Sequence, residues 1–212
     1  GENISVSGRP PIIYHYTSGT DLIFAAGRSI HEYTHMVQIS YGAASYVTNG
    51  GDVNEHWKYM GPRWWVEGTA QWLTRAHSLV NSVNTNVNFG SLPGEKQSYI
   101  NAANTSLKPN GEKLTLRHII TPNTTLNPDW VYVDQYNIYQ THVYFGGLCA
   151  IDFLMNEGKR DEAGIIELLN VIKDVNTKND WLVAFLEWSG YNTFDDFHDA
   201  FDNYIFNSEP EQ

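Results

Sequence analysis

Residues 21–39, DLIFAAGRSIHEYTHMVQI, combine a helical pattern with the most informative motif of the chain. Four apolar residues of this segment recur at the spacing of one helical face: Ile23, Ala26, Ile30 and Val37. Such spacing predicts an amphipathic helix that packs one face against a core.

Within this helix lies the motif His31-Glu32-Tyr33-Thr34-His35, in which two histidines stand four residues apart. Residues at i and i+4 project from the same helical face, so both imidazoles can reach one Zn²⁺ at about 2.0–2.1 Å. Glu32 is placed to take the proton of a water molecule that zinc activates for attack on a carbonyl. The competing interpretation is a chance match on a structural helix, because the motif alone is short.

A catalytic zinc site needs three protein ligands and one open position, so a third ligand has to come from elsewhere. The metzincin arrangement is excluded, because Gln38 and Tyr41 stand where it requires glycine and histidine. The best candidate is Glu67, within PRWWVEGTA at residues 62–70. Two tryptophans before it favour a buried carboxylate over a solvent-exposed one. Gly68 beside it predicts a close backbone approach to the first helix.

The pair of segments HEYTH and PRWWVEGTA resembles the gluzincins, specifically the peptidase MA-like group, whose pattern is HExxH and then Pro-x-Trp-x-x-Glu-Gly-x-Ala. The resemblance implies a thermolysin-like zinc metallopeptidase. One Zn²⁺ per chain would be held by His31, His35 and Glu67, with Glu32 as general base and acid. The 31 residues between His35 and Glu67 are more than thermolysin-type or aminopeptidase gluzincins have. No aminopeptidase motif precedes His31, so an endopeptidase is slightly favoured.

Two looser matches follow further along the chain. The segment LTLR at residues 114–117 is similar to a leucine-containing stretch of that group, and Tyr144, with Leu154 ten residues on, resembles its tyrosine-led helix. The resemblance implies that Tyr144 donates a hydrogen bond to the oxyanion of the tetrahedral intermediate. Tyr139 and His142 compete for that role, and an ordinary core tyrosine is the remaining alternative at position 144.

The chain as a whole is expected to form one domain over residues 1–212, of α+β class and mostly helical. About 1–80 would hold a small N-terminal sheet and the metal-binding helices, about 81–134 an irregular connection, and about 135–212 a helical subdomain. The strand prediction depends on residues 11–16, PIIYHY, a run that suits an edge strand. Further helices are predicted at residues 62–78, 95–103, 144–155, 165–172, 181–188 and from 193 onward.

Composition narrows the possible partners. Cys149 is the only cysteine among 212 residues, so a metal has to be held by histidine and carboxylate. The formal net charge of −11 argues against nucleic acid and anionic membranes as partners. No apolar run is long enough for a membrane span. The abundance of aromatic residues, Asn, Ser and Thr, together with few lysines, favours an exported protein.

One further residue is a candidate partner of the ligands, and the remaining cysteine and histidines receive structural interpretations. Gln71, one turn after Glu67, is a candidate to orient a ligand histidine. Cys149 lies in an apolar helical pattern and is expected to be a packed thiol. The five histidines without ligand spacing are interpreted as structural or surface residues: His15, His56, His77, His118 and His198.

Three functions are compatible with the sequence. The favoured one is zinc-dependent hydrolysis of peptide bonds in a peptide or protein substrate. The alternative is a gluzincin-fold binding module for peptide or glycan with little or no catalysis. The third is a helical structural protein in which HExxH occurs by chance.

Overall fold

The computed structural model describes residues 28–38, 40–41, 61–80, 92–106, 111–119, 139–156, 162–173 and 181–207. These residues are almost entirely helical. The helices are α1 at residues 28–38 and 40–41, α2 Arg63–Val80, α3 Leu92–Thr105, α4 Gly147–Asn156, α5 Glu162–Lys173, α6 Trp181–Ser189 and α7 Phe194–Asn207. A short 3₁₀ turn, Leu116–His118, and a π-helical segment, Tyr139–Gly146, complete the set.

The α+β class predicted from the sequence is wrong for this part of the chain, which is all-α and contains no strand. That prediction depended on residues 11–16, which lie outside the described residues. The described helices bury their apolar faces against one another, and helix-on-helix packing forms a core without any sheet. None of them is long and apolar enough to cross a membrane.

The sequence correctly predicted where α2 begins and the approximate positions of several other helices. The carbonyl of Pro62 accepts hydrogen bonds from the N–H groups of Trp65 and Val66 at 2.9 and 3.1 Å, so α2 begins directly after this proline. The helix predicted at residues 95–103 is part of α3, and those predicted at 165–172 and 181–188 are part of α5 and α6. The helix predicted at 21–39 is confirmed at residues 28–38, and its other residues lie outside the described ones.

The last helix starts with a reciprocal cap. The Thr193 hydroxyl accepts a hydrogen bond from the Asp196 N–H, and the Asp196 carboxylate accepts one from the Thr193 N–H, both at 3.0 Å. This pairing is the capping box predicted from the sequence. Gly190, with φ of +81°, ends α6 in the left-handed conformation that favours glycine. The predicted stops and starts of these two helices are therefore confirmed.

Helix α4 lies at the centre of the core. Eight of its ten residues are buried, from Gly147 to Met155 with the exception of Asp152. It packs against α2 on one side and contacts α3 and α7 on others. A helix that is apolar around most of its circumference belongs in the interior, which explains why its neighbours surround it.

Aromatic side chains fill the space between α2, α6 and α7. Trp64 stacks on Phe197 with ring centroids 5.6 Å apart, and Trp181 stacks on Phe185 at 4.7 Å. Trp65 contacts Trp181 at 5.6 Å. Because Trp64 and Trp65 anchor the first turn of α2, they fix the rotation of that helix about its axis. The rotation determines where the next turn, which carries Glu67, points its side chains.

Candidate metal centre

Three side chains from two helices converge at one point. His31 and His35 project from α1, and Glu67 projects from α2. The two Nε2 atoms are 3.0 Å apart, and Glu67 Oε2 lies 3.3 Å from His31 Nε2 and 3.2 Å from His35 Nε2. The structure therefore brings together the three residues that the sequence singled out as metal ligands, in a cluster able to hold a metal ion.

The separations within this cluster fit a tetrahedral metal site. Bonds of about 2.0–2.1 Å in tetrahedral geometry place ligand atoms about 3.3–3.4 Å from one another. The three separations in the cluster are 3.0, 3.2 and 3.3 Å, close to these values. Two imidazole nitrogens and one carboxylate oxygen also form a ligand set that catalytic zinc sites use. Both the geometry and the donor chemistry of the cluster thus suit Zn²⁺.

Glu67 is buried, with 5% of the residue exposed. Its two oxygens have different surroundings, because Oε2 faces both histidines while Oε1 lies 3.8 Å from Nη1 of Arg63. A buried carboxylate needs compensating positive or hydrogen-bonding groups. Burial lowers the pKa of His35, but its hydrogen bonds to Glu67 and Gln38, together with the negative charges of Glu67 and Glu32, outweigh burial and leave that pKa above its usual value.

The sequence identified the wrong glutamine as a partner of a ligand histidine. Gln38 lies with Oε1 3.0 Å from Nδ1 of His35, and its Nε2 donates to the carbonyl oxygen of Val66 at 3.2 Å. Gln71 makes no such contact among the described hydrogen bonds. The spacing of three residues between His35 and Gln38 places both on one helical face, and this is the signal that identifies Gln38.

Glu32 lies beside the cluster without belonging to it. It is half-buried, and its negative charge contributes to raising the pKa of His35. The carboxylate in the cluster is that of Glu67. The two glutamates therefore occupy different positions, one among the candidate ligands and one next to them.

Tyr144 contacts the cluster at His31. Its ring stacks on that of His31, with centroids 6.0 Å apart and planes 13° from parallel. It belongs to the π-helical segment Tyr139–Gly146, where the sequence predicted a continuous α-helix from residue 144. Such segments frequently occur at functional sites, because the wider turn shifts side chains relative to an α-helix.

His142 is turned away from the cluster. It is fully buried, and its ring contacts the Leu114 carbonyl oxygen through Nε2 at 3.0 Å and the Thr141 hydroxyl through Nδ1 at 3.1 Å. Burial lowers the pKa of His142. Its contacts are those of a structural residue. Tyr144 is therefore the better candidate for the oxyanion role. The side chain of Tyr139 lies outside the described ones.

The segment around Leu116 contacts the π-helical segment Tyr139–Gly146. The Leu116 N–H donates to the hydroxyl of the buried Tyr99 at 2.8 Å, and the Tyr99 ring packs against Gly146. The Leu114 carbonyl accepts from His142 in the same region. Residues 114–117, which the sequence marked as a motif, thus hold the π-helical segment that carries Tyr144.

The remaining reactive groups take structural positions. Cys149 is buried, and burial raises the pKa of its thiol to about 12, as befits the predicted packed thiol. His118 and His198 are also buried, which agrees with their structural interpretation. His15 and His56 lie outside the described residues, and nothing is described of the His77 side chain.

Comparisons with protein-family models, with curated proteins and with solved structures give no match to this chain. The gluzincin resemblance therefore stays a prediction from the two motifs.

Proposed function

We propose that this protein is a zinc-dependent peptidase of gluzincin type that holds one Zn²⁺ through His31, His35 and Glu67. The observation that carries the proposal is the convergence of three ligand atoms from two helices, at separations that fit tetrahedral zinc. When bound, zinc supplies Lewis acidity, which lowers the pKa of water and polarises a carbonyl group.

Glu32 is the proposed general base and acid. It would take a proton from the attacking water and deliver that proton to the leaving amine, a role that requires a carboxylate near the metal ligands but outside their set. Its position beside His31, and the action of its charge on His35, support this assignment. The buried carboxylate of Glu67, engaged with both histidines, suits a ligand better than a proton carrier.

Tyr144 is the proposed donor to the substrate oxygen on which negative charge develops. A phenol is suited to this role because it donates a hydrogen bond and stays protonated at neutral pH. Its stacking on the ligand His31 supports the assignment, since this contact keeps the phenol ring within reach of groups at the cluster. The π-helical segment held by His142 and Tyr99 would keep the ring in that position.

A pair of glutamate variants tests the proposal. We expect Glu32→Gln to keep stoichiometric zinc and to lose hydrolysis by about 10²–10⁴-fold, the usual contribution of a general base. We expect Glu67→Ala to lose the zinc. Glu167→Gln, on an exposed position of α5, is the matched control and should behave like the wild type. Zinc is measured by elemental analysis and hydrolysis with a mixed library of quenched fluorescent peptides.

Full hydrolysis in Glu32→Gln would overturn the assignment of the base. A wild-type protein that holds zinc but cleaves nothing in the library would instead favour the binding-module alternative.

A further inference from the structure

Gln38 connects the two helices that carry the candidate ligands. It is 2% exposed, and its side-chain amide bridges the His35 ring on its own helix and the Val66 carbonyl on α2. Val66 immediately precedes Glu67. A single buried side chain therefore links one candidate ligand to the backbone next to another.

The hydrogen bonds fix which way the amide points. A backbone carbonyl can only accept, so the group of Gln38 that faces Val66 has to be the NH₂ group. The amide oxygen then has to face Nδ1 of His35, at 3.0 Å. Because an amide oxygen cannot donate, Nδ1 has to carry the hydrogen. In neutral His35 the lone pair is then on Nε2, the atom that faces His31 and Glu67.

We propose that Gln38 is a positioning residue that holds His35 as the Nδ1–H tautomer and fixes the orientation of its ring toward Glu67. The inference rests on the proposed zinc site and adds to it the residue that prepares one ligand for the metal. Ligand histidines generally donate their second ring N–H to an oxygen acceptor, which fixes the tautomer and raises the basicity of the ligating nitrogen. Gln38 differs from a residue that only fills the core, because both its amide oxygen and its NH₂ group make hydrogen bonds.

Two substitutions separate the acceptor role from a merely structural one. Gln38→Met keeps the length of the side chain and removes both hydrogen bonds. Gln38→Glu keeps an oxygen for the His35 N–H and removes the NH₂ donor that faces Val66. We expect Gln38→Met to weaken zinc binding by about 10–100-fold, the usual effect of losing such a partner. We expect Gln38→Glu to bind zinc at least as tightly as the wild type although its thermal stability falls, because the link to Val66 is lost and a buried carboxylate oxygen then faces that carbonyl oxygen.

Zinc affinity is measured by competition with a chromophoric chelator, and Gln71→Met on α2 is the matched control, expected to keep wild-type affinity. The second readout is the ¹⁵N NMR spectrum of the imidazoles in the zinc-loaded protein. In the wild type and in Gln38→Glu, His35 should carry its proton on Nδ1 and bind zinc through Nε2. In Gln38→Met, the Nδ1 proton should exchange faster with water.

Failure of this inference is distinct from failure of the zinc site. Zinc bound as tightly by Gln38→Met as by the wild type overturns the positioning role alone, and so does a wild-type His35 that binds through Nδ1. If Gln38→Met does not fold, loss of zinc by a folded Gln38→Glu overturns the acceptor role. A wild-type protein that binds no zinc overturns both proposals.

Discussion

A Cβ atom added to Gly68 would lie 2.4 Å from the backbone carbonyl carbon of Gly147, so α2 and α4 meet backbone to backbone at these two glycines. The contact is reciprocal, because a Cβ atom on Gly147 would lie 2.3 Å from the Trp64 carbonyl oxygen. Glu67 directly precedes one glycine, and Tyr144 lies three residues before the other. The crossing therefore sets the distance between the candidate ligand and the candidate oxyanion donor.

The first prediction concerns this crossing. Gly68→Ala is expected to lower the free energy of unfolding by about 1–3 kcal/mol or more, because the backbone it meets cannot rotate away as a side chain would. Zinc affinity should fall with it, since α2, which carries Glu67, has to shift away from α4 and so moves that carboxylate relative to His31 and His35. Urea unfolding and chelator competition measure the two effects.

Gly111→Ala is the control for the first prediction. Gly111 has φ of +83° and nothing within 4 Å of an added Cβ, so alanine meets only the left-handed backbone cost of about 1–2 kcal/mol. Its zinc affinity should equal that of the wild type. A Gly68→Ala protein with unchanged stability and affinity would show that the helices do not cross this closely.

The second prediction isolates the Tyr144 hydroxyl. Tyr144→Phe keeps the ring that stacks on His31 and removes only the donor, so zinc affinity should be unchanged while kcat falls by on the order of 10²–10³. Tyr33→Phe is the matched control, because Tyr33 is exposed and points to the opposite side of α1 from both histidines. Steady-state hydrolysis of a cleaved library peptide provides the comparison. Equal kcat values for the two variants would remove Tyr144 from the reaction.

The third prediction concerns pH and a buried histidine. His198 is 2% exposed and packed among aromatic rings, and burial lowers its pKa to about 3. Between about pH 6.5 and about pH 3, this histidine is therefore protonated in the unfolded chain but neutral in the folded one. As the pH is lowered through that window, His198 should reduce the free energy of unfolding by at most about 1.4 kcal/mol per pH unit.

His198→Phe should remove that component and flatten the acid side of the stability curve, as measured by urea unfolding at a series of pH values. Asp202 acts in the opposite direction, because burial raises its pKa to about 6, so that between about pH 4 and about pH 6 the folded chain binds more protons than the unfolded one. Asp202→Asn should accordingly steepen the acid loss. Parallel curves for the wild type and His198→Phe would contradict the assignment to His198.

The fourth prediction concerns the lone thiol. Burial raises the pKa of Cys149 to about 12, so the thiolate that reacts with disulfide reagents is scarce in the folded protein. Labelling by a chromogenic disulfide should occur only as fast as the protein unfolds. Cys149→Ala should retain hydrolysis, with a stability cost of about 1 kcal/mol for the small cavity. Rapid labelling of the native protein would place the thiol at the surface.

Local signals in the sequence predicted the helices well because they act within a few residues. The Thr193 and Asp196 cap needs only its own turn, and the four-residue spacing of His31 and His35 depends only on helix geometry. Glu67 was found from the ligand count of zinc and its motif, and its burial followed from the neighbouring tryptophans. None of these inferences required knowledge of how distant helices cross.

Two of the errors concern contacts between distant segments. Gly68 was correctly expected to allow a close backbone approach, but its partner is Gly147 and not the first helix. Gln38 reaches Val66, 28 residues further along the chain, and that contact depends on how α1 lies on α2. The π-helical turn before Gly147 has the same apolar spacing as an α-helix within a few residues, so periodicity could not reveal it.

The central claim is tested most directly by the zinc content of the purified wild-type chain. The protein is incubated with zinc, excess metal is removed by gel filtration, and bound metal is measured by elemental mass spectrometry beside the Glu67→Ala variant. We expect about one zinc per wild-type chain and none in the variant, with a melting temperature that falls when a chelator is added to the wild type. A wild-type protein that binds no zinc, and whose melting temperature changes with neither zinc nor chelator, would contradict the proposed zinc site.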